Sequence, residues 1–191
     1  MIRVILLLPI AFLLLFFFPA CDKSDLLIKN NPFVTYIIPE GQQRSTSKVR
    51  VYSADELKFI ILFDSTAIYK TVDSICQYSI NKLYGLSDCD SKHHENSARF
   101  GWRWLNGKME IFAYCYAESE RFSELITTVD IGKEYECSIQ FTDNNYCFSI
   151  NGITHTFKRT CKTSKLRYFL YPYFGGTEAA PHEVRIKIKD L

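Results

Sequence analysis

An all-β fold, an antiparallel sandwich or jelly roll, is what this sequence predicts. Three observations predict it: short strand-like runs divided by turn signals, a composition rich in aromatic residues, and an Asn-Gly hairpin in the middle of the chain. The runs are 58–63, 97–104, 108–116, 121–129, 134–141, 145–150, 153–158, 166–173 and 183–190. Runs so closely spaced leave no room for the crossover helices of βαβ units, so the pairing is antiparallel. Twelve Tyr and 15 Phe suit strands better than a helical bundle. One helix is expected, over Val72–Leu83, and one early strand, over Phe33–Ile38.

The hairpin SARFGWRW-LNGK-MEIFAYCY holds the most information. Asn106-Gly107 is the signature of a type I′ turn, which needs positive φ at both central positions. Setting Leu105 opposite Lys108 pairs Trp104 with Met109, Trp102 with Ile111 and Phe100 with Ala113, and this apolar face is the expected core. The other face then holds Ser97, Arg99 and Arg103 against Glu110, Phe112, Tyr114 and Tyr116, with Arg103 opposite Glu110 and Arg99 opposite Tyr114. The same reasoning applied to EYECSIQF-TDNN-YCFSING places Cys137 and Cys147 on opposite faces, where they cannot bond to each other.

Residues 1–20, MIRVILLLPIAFLLLFFFPA, form an apolar leader behind Arg3, ending at Cys21 and followed by polar DKSD. That is an export signal. Ala20-Cys21 resembles a bacterial lipobox, with Cys21 as the lipidated first residue of the mature protein; Phe18 and Pro19 depart from that pattern, and an uncleaved anchor or a simple secretory signal are the rivals. Residues 22–48 read as a tether and 49–191 as the compact domain. The protein is therefore expected in the bacterial cell envelope, anchored to the membrane through an N-terminal lipid or apolar segment and facing the periplasm or the exterior. Six further cysteines in an oxidising setting make disulfides plausible, with 15 connectivities open. A net charge of +2 gives no basis for nucleic-acid binding. No cofactor is expected. The one metal-like grouping, Cys89 with His93 and His94, reads more simply as a loop with a structural thiol, so no metal is expected either.

The segments NKLYGL (81–86), SARFGWRWLNGKMEIFAY (97–114), EYECSIQ with YCFSING (134–152) and YFGGTEAAPHEVRIKI (173–188) resemble, in order, the β-jelly-roll polysaccharide lyases of family fourteen. That resemblance implies a concanavalin A-like jelly roll acting on alginate or related uronic-acid polymers, with an acidic polysaccharide as partner. It places the catalytic roles on Lys82, Ser97, Arg99 and Tyr114. Phe112 stands where the family has the first tyrosine of a pair, and Tyr84 where it has proline.

β-Elimination of a uronate needs a cation to neutralise the carboxylate, a base for the adjacent carbon acid and an acid for the departing oxygen. Arg99 suits the first role as a fixed donor fork. Tyr114 suits base and acid if neighbouring cations, Lys82 foremost, lower its pKa from about 10, with Ser97 as positioner. Arg103, Glu110, Phe112 and Tyr116 are candidate substrate contacts, although Arg103 with Glu110 is as readily a plain cross-strand pair. His93 or His94 is an alternative base. Tyr171 and Tyr173 serve either packing or glycan contact. A hydrolase would need two close carboxylates on one strand face, and this strand offers only Glu110. Three functions stand: a lyase-type enzyme, a non-catalytic glycan-binding lipoprotein, which Phe112 favours, and a structural envelope protein.

Overall fold

The computed structural model describes residues 32–191; the leader and Cys21 lie outside the described residues. Twelve strands follow one another: β1 (Val34–Ile38), β2 (Val51–Tyr52), β3 (Glu56–Phe63), β4 (Asn81–Ser87), β5 (Ser97–Leu105), β6 (Lys108–Ala117), β7 (Glu120–Val129), β8 (Glu134–Phe141), β9 (Asn145–Ile150), β10 (Ile153–Lys158), β11 (Arg167–Leu170) and β12 (Val184–Asp190). They form two six-stranded sheets, ordered β1-β12-β3-β8-β9-β10 and β2-β11-β4-β5-β6-β7. Neighbouring strands pair antiparallel throughout. This is the jelly-roll sandwich expected from the strand spacing.

Period-two patterning makes each sheet one-sided. In β3, Leu57, Phe59, Ile61 and Phe63 are buried while the residues between them are less so. In β9, Tyr146, Phe148 and Ile150 do the same. The inner faces interlock through edge-to-face aromatic pairs, Phe59 with Phe100 at 5.8 Å between centroids and Phe100 with Phe148 at 5.3 Å. Trp102 sits fully buried against Phe63 in this core.

The Asn-Gly hairpin has the expected register, with Arg103 opposite Glu110, Arg99 opposite Tyr114 and Ser97 opposite Tyr116. Asn106 and Gly107 both take positive φ, 51° and 74°, as a primed turn requires. The second hairpin pairs Phe141 with Tyr146, so Cys137 lies in the core and Cys147 on the other face, both unbonded.

Three expectations are corrected. The segment 72–83 is not a helix: it contains a 3-10 turn at Cys76–Tyr78 and then opens into β4 at Asn81. Its apolar spacing was ambiguous, and pairing of β4 with β5 overrides it. The expected tether contributes to the fold from Val34 onward, because β1 pairs with β12 and buries Tyr36 and Ile38; beyond it, Arg44 bridges to Tyr173. The run 166–173 is a strand only over Arg167–Leu170, with Tyr173 in an isolated bridge to Lys82.

Candidate functional site

On the outer face of the sheet that contains β4, β5 and β6 lies a cleft of about 400 Å³, walled by Arg44, Lys82, His93, His94 and Arg99 with the Tyr171–Tyr173 segment. Alternation along β5 puts Arg99 on this face, opposite Tyr114, as the register demanded. This face is covered and not open to solvent at Arg99, which is 4% exposed and forms the cleft floor. Gly85 on β4 allows this close covering. A Cβ there would lie 2.3 Å from the Ala98 carbonyl oxygen and 2.4 Å from the Arg99 Cβ. A bulge between Lys82 and Gly85 offsets the register of β4 on β5, and Lys82 turns into the cleft with its ammonium 4.8 Å from the Tyr173 ring centroid.

The loop 88–96 brings the two histidines to the same place. It reverses at Cys89 and Asp90, both with positive φ (53° and 55°), and is tied down by the Cys89–Cys161 disulfide and by Ser97 Oγ, which donates 2.7 Å to the His93 carbonyl. Ser97 is fully buried and so serves this loop. With Cys89 bonded to Cys161, its sulfur is not a thiolate ligand, which removes the Cys89–His93–His94 grouping as a zinc set.

Electrostatically the cleft is one-signed. Among the described residues no carboxylate lies within ion-pair distance of Arg44, Lys82 or Arg99. Arg99 Nε and Nη2 are buried with no hydrogen-bond partner in the protein. Its guanidinium is 5.8 Å from the Tyr114 ring centroid, and burial pulls its pKa down to about 10, leaving it charged at neutral pH. Lys82 falls to about 8 through burial, then Arg99 and Arg121. His93 falls to about 4 through burial and the surrounding cations, so its imidazole is neutral; His94 is lowered for the same reasons.

Tyr114 departs from expectation. Burial, then Tyr116, push its pKa up to about 12 and outweigh Arg99 and Arg121, so this phenol is a proton donor and not a base at neutral pH. Tyr116 lies beside it, between the Tyr114 ring and the ring of His94. Arg103 and Glu110 stand apart from the cleft lining and bind each other at 2.6 Å, Arg103 also donating to the Tyr78 carbonyl at 2.7 Å. Phe112 is buried 5.0 Å from the Arg103 guanidinium. Tyr171 does both jobs left open for it: it packs on Tyr36 and Phe169 and also lines the cleft. Tyr173 lines it too, its hydroxyl donating 2.6 Å to Gln43 Oε1.

Two cations were missed in the sequence. Arg121 faces the site from β7 because it pairs with Tyr116 across the Glu118-Ser119 turn, both turn residues having positive φ (52° and 68°) without the glycine that would announce it. Arg44 lies in a stretch with no periodicity.

No family model matches the chain, and no curated protein matches it in sequence. Solved structures do match in shape. The alginate lyase AlyC3 superposes with a TM-score of 0.54 at 7% identity, over 83% of this chain and 74% of the lyase. A laminarinase from Flavobacterium sp. UMI-01 gives 0.53 at 9% identity, over 82% and 76%. A family 16 glycoside hydrolase from the mixed-linkage glucan locus of Bacteroides ovatus, in complex with its product, gives 0.51 at 10% identity, over 85% and 82%. The likeness is one of fold. This chain has the jelly-roll sandwich on which those glucanases and lyases are built.

Proposed function

We propose that the cleft binds the carboxylate of an acidic, uronate-type polysaccharide, with Arg99 as the receiving group. The buried, charged, unpartnered Arg99 guanidinium is the observation behind this reading: a cation taken out of water without a counter-charge costs several kcal/mol, and a ligand carboxylate offsets that cost. Lys82 and the depressed histidines show the same deficit of negative charge. The resemblance of the motif order to that of the family-fourteen lyases, and the fold shared with an alginate lyase, support a glycan as the ligand. Titration of the purified domain with polyglucuronate and with alginate tests it. Wild-type protein binds and Arg99→Met loses binding by at least tenfold; equal affinity in the two proteins refutes the role of Arg99.

β-Elimination is a second reading, favoured by one observation: the neutral His93 imidazole lines the cleft with Arg99, and the Tyr114 phenol lies opposite Arg99 on the neighbouring strand. Arg99 would neutralise the carboxylate. The neutral His93 imidazole, or Lys82 once deprotonated, would take the proton from the adjacent carbon, and the Tyr114 hydroxyl would protonate the departing oxygen. The ultraviolet absorbance of an unsaturated product decides it. Binding without absorbance leaves a glycan-binding protein.

The envelope location is also a proposal, with Cys21 as the lipidated residue and the membrane as partner through that anchor. A disulfide between Cys89 and Cys161 supports an oxidising compartment. Labelled palmitate incorporated by the wild type and not by Cys21→Ser confirms lipidation, and equal labelling refutes it.

A further inference from the structure

The cations of the cleft face form a row that runs across the strands. Arg44 bridges to Tyr173, and Tyr173 bridges to Lys82 on β4. Arg99 follows on β5, paired with Tyr114 on β6, and Arg121 on β7 is paired with Tyr116 of β6. From Arg44 to Arg121 the row crosses five strand intervals, roughly 24 Å measured perpendicular to the strands, and it slants along them, since Lys82 is level with Gly101 and Arg121, through Tyr116, with Ser97. The same sheet order fixes who sits where: Lys82 and Arg99 in the middle, one exposed arginine at each end. Both ends act on the middle. Arg121 depresses Lys82 and opposes the rise at Tyr114, and Arg44 depresses His93. Among the described residues neither terminal arginine has a carboxylate within ion-pair distance.

A single carboxylate at Arg99 leaves the two end arginines with nothing to meet. Building on the uronate-binding reading above, we infer that Arg44 and Arg121 are specificity-determining residues that contact acidic groups on sugars flanking the one held at Arg99. The ligand is then a chain lying across the strands with a carboxylate on successive units. The cations occupy four of the six positions of the row, two of them adjacent, so a homopolymer of uronic acid, with a carboxylate on each sugar, is the ligand that places an acid near every one of them. A polymer with acid on alternate sugars presents half as much and satisfies the row incompletely. Both arginines are exposed, so truncating either side chain is expected to leave the fold intact.

Calorimetric titration of the full domain with a glucuronate hexamer, a hyaluronan hexamer, glucuronic acid and neutral laminarin hexaose tests this, with Arg44→Ala, Arg121→Ala and the double variant, each checked for an unchanged melting temperature. Each single substitution is expected to weaken the glucuronate hexamer about three- to five-fold, as for an exposed ion pair, and the double variant about tenfold or more. Glucuronic acid itself, too short to reach from Arg99 to either end of the row, loses less affinity than the hexamer in every variant. Wild type prefers the glucuronate hexamer to hyaluronan, and the double variant narrows that preference. If the hexamer binds the double variant as tightly as wild type, or the preference for successive charge is absent, the end arginines do not read the chain and the inference is overturned while the Arg99 reading stands. If wild type binds no acidic ligand, both fall together.

Discussion

Two regions of this molecule bury arginine, and they do so in opposite ways. At the end of the sandwich near the disulfide, Asp88 is fully buried and holds two guanidinium groups at once: Arg159 Nε at 2.6 Å and Arg167 Nε at 3.1 Å. The remaining donors are also used. Arg167 reaches Asp55 at 3.2 Å and the Ala54 carbonyl at 2.8 Å, and Arg159 reaches the Thr142 carbonyl at 2.9 Å, while the Tyr146 hydroxyl donates to Asp88 at 3.1 Å. At the cleft, Arg99 is as deeply buried and has none of this. On the proposed reading, the difference separates a structural cation from a ligand-binding one. A guanidinium whose counter-charge is part of the fold stabilises it, whereas one without a counter-charge destabilises the free protein and awaits a ligand.

The largest effect expected from breaking the contrast is at Asp88. Asp88→Ala leaves the buried Arg159 without a counter-charge and Arg167 with Asp55 alone, and costs about 3–5 kcal/mol, read by denaturant unfolding; a loss within about 0.5 kcal/mol would mean that the cluster contributes no more than a surface pair. Next comes the covalent tie of the histidine loop. Replacing Cys89 and Cys161 by serine opens a loop of 72 residues' separation, and about 4 kcal/mol of stability is lost on the chain-entropy view. Equal melting temperatures with and without reductant would show the loop to be held by its hydrogen bonds alone.

Arg99→Met should act with the opposite sign on stability. Removing a buried charge that has no counter-charge raises stability by about 1–2 kcal/mol, or a few degrees in melting temperature, while binding is lost. A variant both weaker in binding and less stable would place Arg99 with Arg167 as a structural residue. The smallest effect lies in pH. The folded-state pKa of Lys82 lies below its unfolded value, so between about 8 and the ordinary lysine value of 10.5 the unfolded chain holds more protons and stability rises with pH. His93 gives a similar rise between about 4 and 6.5. Ligand carboxylate favours protonated Lys82, so affinity falls as pH passes upward through 8; calorimetry from pH 6 to pH 9.5, flattened in Lys82→Met, checks this.

Much of the site's address was legible in one hairpin. Asn106-Gly107 sets the turn, the turn sets the register, and the register puts Arg99 and Tyr114 side by side on the face away from Trp102. What neighbouring elements bring was not legible. His93 and His94 read as loop residues with an alternative role as a base, and nothing in the sequence placed them at the cleft, which they reach on a loop tied down by a disulfide and the Ser97 hydroxyl. Tyr114 read as a candidate base; its burial beside Tyr116, which alternation along the strand does not reveal, reverses that role.

The sequence alone determined the fold class and the pairing of two hairpins, because alternation of side chains and turn chemistry act over a few residues. Only the tertiary structure decided which cations share a surface, which are buried and which have a carboxylate. Those properties depend on how Arg44, Lys82, Arg99 and Arg121 meet across six strand positions, and charge interactions act through space with no regard for order along the chain.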